Sequence, residues 1–130
     1  MSSKLNFTQC VEGIESSYEF MLAYAAQGRD QESMGADGPS IRNFLGILSN
    51  SLRGLNAAIR SEANAKGILQ PEALDEFLKL IEEDAVRANC AVAIVIAVPV
   101  ISSQLIDNLN ASIHLRALLT SLFLVDECLK

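Results

Sequence analysis

Residues 41–59, IRNFLGILSNSLRGLNAAI, contain the clearest periodic pattern in the chain. Their apolar side chains alternate between steps of four and three residues: Ile41, Leu45, Leu48, Leu52, Leu55 and Ile59. This spacing places them on one side of an α-helix and is typical of an a/d heptad seam. Pro39 or Ser40 provides a start and Gly67 a stop. The stretch therefore predicts a long amphipathic helix that packs against other helices.

A second amphipathic helix is predicted before this stretch. Asn6 is a favourable N-cap, Gln9 completes a capping box, and Gly28 stands where a helix stop belongs. Apolar residues recur at helical spacing between them, so we predict a helix over residues 7–27. Residues 29–38 contain two glycines and show no period, which predicts a mobile loop.

A third helix is predicted from Pro71, a residue that suits the first helical turn. It leads into a segment without hydrophilic side chains, from Cys90 to Val98, and the apolar character continues after Pro99 to Ile101. This run is shorter than the roughly twenty residues that a transmembrane helix needs. Its β-branched residues would suit a buried strand, but no other segment offers a partner strand. We therefore expect a helix that is buried on all sides, within a bundle or between subunits.

The last predicted helix follows Pro99 and begins at Ser102 or Ser103. Its apolar stripe is predicted to keep one helical phase to near the C-terminus, through Ile106, Leu109, Ile113, Ala117, Thr120 and Leu124. Nearby asparagines could split it near Leu109. Helices of similar length joined by short turns predict an all-α fold, an antiparallel up-down four-helix bundle formed as a single domain by residues 1–130, with five helices if the split occurs.

Composition and charge exclude several classes of function. The chain has 130 residues, of which 50% are hydrophobic, and its net charge is −6. Residues 67–130 carry −5 of this charge. An acidic protein is unsuited to binding phosphate backbones or anionic lipid, so we expect no nucleic acid among its partners. The length of the apolar run predicts that the chain has no membrane span.

The cysteines and the N-terminus predict a cytoplasmic protein. Three widely spaced cysteines, Cys10, Cys90 and Cys128, match neither a disulfide framework nor a metal knuckle. Residues 1–6 carry one positive charge with no apolar segment behind it, which predicts that no signal peptide is present. A zinc site from these cysteines and His114 would use ligands that are far apart in sequence. We expect Cys10 and Cys90 to be buried as small hydrophobic residues, and we expect no metal or cofactor.

His114 is the single histidine and suggests an alternative function. Histidine phosphotransfer domains are four-helix bundles with an exposed nucleophilic histidine, and a cation one turn away would balance the phosphate charge. Ala117 and Leu118 occupy those positions. The carboxylates Glu12, Glu15 and Glu19 have helical spacing and are interpreted as a solvated face.

The apolar run carries the main functional prediction. A monomer rarely exposes so apolar a surface, and a second copy of the chain is the simplest way to cover it. The predicted oligomer interface consists of Val92, Ile94, Val95, Ile96, Val98, Val100 and Ile101. We predict a homodimer that acts by protein–protein interaction, as an adaptor, assembly factor or regulator, without catalytic activity of its own. The alternative is a phosphotransfer domain using His114, or a small-ligand sensor with a cavity between helices.

Overall fold

The computed structural model describes residues 4–31 and 40–130, and within these ranges the chain forms five α-helices and no strand. They are α1 (Phe7–Ala26), α2 (Ile41–Lys66), α3 (Pro71–Ile96), α4 (Ser103–Asn110) and α5 (Ile113–Cys128). The all-α prediction is thus confirmed. The last predicted helix is split in two.

The helix starts and stops follow from local chemistry. The Asn6 side chain accepts a hydrogen bond from the Gln9 backbone N–H at 2.8 Å, and the Gln9 side chain accepts one from the Asn6 N–H at 2.9 Å. Ser40 caps α2 by accepting from the Asn43 N–H. Gly67 ends α2 at φ 63°, a left-handed conformation that glycine adopts without steric cost. These caps confirm the boundaries predicted for the first two helices to within one or two residues.

Most of the predicted mobile loop, residues 29–38, lies outside the described residues. Arg29, at its start, is held by α4. The Arg29 N–H donates to Ser103 Oγ and the Ser103 N–H donates to the Arg29 carbonyl, both at 2.8 Å. This exchange of hydrogen bonds attaches the segment after α1 to the beginning of α4.

Helices α1 and α2 pack along each other in opposite directions. Phe20 of α1 stacks on Phe44 near the start of α2, with ring centroids 4.2 Å apart. Further back along α1, Cys10 lies beside Gly54, later in α2. A residue late in α1 thus contacts the start of α2, and a residue early in α1 contacts a later part of α2, so the two helices are antiparallel.

Side-chain amides tie α2 to α3, which is also antiparallel to it. Asn89 donates to the Ser49 carbonyl at 3.2 Å, and Asn56 donates to the Leu78 carbonyl at 2.7 Å. At one end of the pair the Arg42 guanidinium donates to the carbonyls of Ile96, Val98 and Pro99, at 2.9, 2.9 and 3.3 Å. A side chain from α2 therefore satisfies the backbone acceptors left free where α3 ends.

Helix α4 packs mainly along α1, and α5 packs along α3. The Tyr24 hydroxyl donates to the Ile101 carbonyl, Ser103 Oγ donates to the Tyr24 carbonyl at 2.7 Å, and Asn110 donates to the Met21 carbonyl. At the far end of the molecule, Lys66 donates to the Leu129 carbonyl. The end of α5 thus lies beside the end of α2.

All five helices contribute to one hydrophobic core. Its largest fully buried side chains are Ile14, Met21, Ile41, Leu45, Leu48, Leu52, Leu55, Ile59, Ile81, Ile101, Ile106 and Leu115. Every apolar position of the heptad pattern in residues 41–59 is among them. The pattern that predicted α2 is therefore the central stripe of the core.

The apolar phase predicted for the last helix is wrong beyond Leu109. Ile113, Thr120 and Leu124 are exposed, whereas the buried face of α5 consists of Leu115, Leu118, Leu119, Leu122 and Val125. Residues 111–112 are not helical, and this break changes the angular position of all later residues. A periodicity extrapolated across the break therefore selects the opposite face.

The glycines within helices have different surroundings. No atom would lie within 4 Å of a Cβ added at Gly46, so close approach of another helix does not explain this residue. At Gly54 an added Cβ would make only ordinary contact, 3.6 Å from Cys10 Sγ. The close approach occurs at Gly13 of α1, where an added Cβ would overlap Ser51 Oγ and lie 3.4 Å from Ser51 Cβ.

We expect Gly46→Ala to raise the free energy of unfolding by about 0.5–1 kcal/mol, because alanine has the higher helix propensity and nothing obstructs its methyl group. Gly13→Ala should lack this gain because the Ser51 hydroxyl must rotate away. Combining Gly13→Ala with Ser51→Ala should recover part of it. Urea denaturation followed by circular dichroism measures all three. Equal stabilisation by the two single glycine substitutions would contradict the close contact.

Candidate functional site

The seven residues of the predicted interface divide between the core and the surface. Three lie in the chain's own core: Val92, Val95 and Ile101. The other four reach the surface fully or in part: Ile94, Ile96, Val98 and Val100. The expectation of a helix buried on all sides is thus wrong for the single chain, since the end of α3 has one face in the core and one in solvent.

The solvent face of α3 changes character along its length. Its first half exposes mostly charged residues: Glu72, Asp75, Glu76, Lys79, Glu82 and Glu83. Its last three turns, together with the C-cap residue Ala97, expose what we call the α3 apolar surface: Val86, Cys90, Ala93, Ile94 and Ala97. These positions lie on one side of a helix, and Ile94 is 68% exposed. A strip whose only exposed charged residue is Arg87 therefore follows a strongly charged one on the same helix.

Helix α5 exposes a second group of apolar side chains, which the sequence analysis missed. Ile113 is 74% exposed and Leu124 61%, and Phe123 is also exposed. The opposite face of α5 is buried and just as apolar. The available signal was the scarcity of charge in the first eleven residues of the helix, where a helix with one solvated face normally carries several charged groups. We call Ile113, Phe123 and Leu124 the α5 apolar surface.

The residues considered for catalysis or metal binding are dispersed. His114 is exposed in the first turn of α5, and the positions one turn further hold uncharged Ala117 and Leu118. Within residues 4–31 and 40–130, no group of His, Cys, Asp and Glu side chains could hold a metal ion. The surroundings of His114 therefore add no support for the phosphotransfer alternative.

Cysteine burial differs in part from the prediction. All three thiols are free; Cys10 is fully buried, as expected, whereas Cys90 and Cys128 are exposed. Cys90 lies on the solvent face of α3, so the prediction that it is buried is wrong for the single chain. Loss of solvation in the core raises the pKa of the Cys10 thiol.

We expect a thiol reagent at pH 8 to modify Cys128 rapidly and Cys10 only after unfolding, because burial keeps Cys10 protonated and inaccessible. The raised pKa also has a consequence for stability. The Cys10 thiol of the unfolded chain loses its proton at a lower pH than the buried thiol of the native chain. The free energy of unfolding therefore falls as the pH rises from the unfolded pKa of this thiol toward its raised native pKa. Mass spectrometry of peptides after timed labelling distinguishes the two thiols. Equal labelling rates in native buffer would contradict the burial of Cys10.

Two grooves on the surface border the beginning of the chain and helix α1. One, of about 540 Å³, is formed by α1 and lined by the carboxylates of Glu12, Glu15 and Glu19. All three are exposed, in agreement with a solvated face. Another, of about 570 Å³, lies between the segment before α1 and the small residues Gly54, Ala57 and Ala58 of α2. Neither groove gathers the convergent polar groups of a small-molecule site.

Comparison with protein-family models, with curated proteins and with solved structures found no match. In the part of the chain that the structure describes, no helix has both the length and the hydropathy that crossing a bilayer requires. The features that distinguish this molecule are therefore its two exposed apolar surfaces, on α3 and α5.

Proposed function

We propose that this protein acts by protein–protein interaction, as an adaptor, assembly factor or regulator, and that its first partner is a second copy of itself. One observation carries the proposal: large apolar side chains are exposed on both α3 and α5. Single exposed hydrophobic residues are common, but several on one helix face are typical of interfaces. Binding another protein surface would remove them from water.

The proposal includes the architecture that presents these surfaces. We propose an antiparallel up-down bundle in which α1, α2 and α3 take three positions and α4 and α5 share the fourth. Two contacts support it: α4 packs along α1, and α5 packs along α3. Because the fourth position is split, each of its short helices is free to follow a different neighbour.

The proposed partners and location follow from charge and thiol chemistry. A net charge of −6 disfavours nucleic acid and anionic membranes, which leaves proteins as the favoured macromolecular partners. The described chain holds three free thiols. Free thiols persist in a reducing compartment, so we propose a cytoplasmic location.

Analytical ultracentrifugation at micromolar concentrations tests the self-association. We expect a species of twice the 14.0 kDa chain mass. Ile94→Glu should shift the equilibrium to the monomer, because it introduces a charge into the apolar surface that the dimer would bury. Ile68→Glu is the matched control: Ile68 is 57% exposed but lies in the turn between α2 and α3.

Two results would count against self-association. If the wild-type protein is a monomer at 100 µM, the proposed homodimer is excluded. A dimer that is weakened equally by Ile94→Glu and Ile68→Glu would show that the exposed apolar surface of α3 is not its basis.

A further inference from the structure

We draw no further inference here: the strongest candidate, the α5 apolar surface of Ile113, Phe123 and Leu124, is an unpartnered helix face, and nothing in the structure shows what covers it.

Discussion

Replacing Val92 with glutamate is expected to lower the free energy of unfolding by more than about 4 kcal/mol, which is enough to unfold a domain of ordinary stability. Val92 has no exposed surface and lies in the hydrophobic core. A carboxylate at this position would have to lose its water without gaining a partner. Urea denaturation, or the absence of a folded circular dichroism spectrum, measures the effect.

Ile94→Glu is the matched control, because it makes the same chemical change two residues further along the same helix. Ile94 points into solvent, so its substitution should change monomer stability by less than about 0.5 kcal/mol. The comparison requires protein concentrations below the dimer dissociation constant, because self-association adds to apparent stability. Similar losses for the two variants would show that the end of α3 is not divided into a core face and a solvent face.

The second large effect is expected at Arg42. Arg42→Met should cost about 2 kcal/mol, because the guanidinium donates to three carbonyls at the end of α3 and methionine retains only the apolar part of the side chain. These acceptors are partly accessible to water, which limits the loss. Urea denaturation gives the stability, and hydrogen exchange should show faster opening of the last turn of α3.

Arg60→Met serves as the control for Arg42. Arg60 forms an exposed ion pair with Asp75 at 3.0 Å, an interaction that contributes little when both partners remain solvated. We expect a change below about 0.5 kcal/mol. If Arg42→Met and Arg60→Met prove equally mild, the contacts of Arg42 do not stabilise the end of α3.

Helix boundaries were predictable where they depend on a few adjacent residues. Asn6 with Gln9, Ser40, Gly67 and Pro71 each mark a boundary through a local hydrogen bond or a backbone preference. The heptad pattern of α2 predicted its buried face equally well, because this helix buries one continuous stripe of apolar side chains and exposes mostly polar ones elsewhere. These features do not require knowledge of the remaining chain.

The faces of the last two helical segments were harder to predict. The end of α3 is apolar on every side, so composition does not distinguish Val92, which is buried, from Ile94, which is exposed. In α5, the break at residues 111–112 changes the helical phase, and the residues in the break do not indicate the size of that change. Only packing against the other helices selects the buried face in each case.

The candidate interface was likewise predictable from the sequence only in part. The prediction combined inward and outward residues of one apolar run, because their chemistry is identical. It also omitted Val86, which follows a cluster of carboxylates, and the exposed apolar residues of α5. Exposure is a property of the folded arrangement, and the exposed surface of a helix depends on which neighbours cover it.

By itself, the sequence determined the helical class of this protein, the limits of its first three helices and its acidic character. Those properties depend on local hydrogen bonding, side-chain periodicity and charge, which act over a few residues. The tertiary structure alone decided that the fourth segment divides between two neighbours, and that the apolar end of α3 has one face in the core and another in solvent. Burial depends on contacts between residues far apart in the chain, and uniformly apolar segments contain no local signal to choose between their faces.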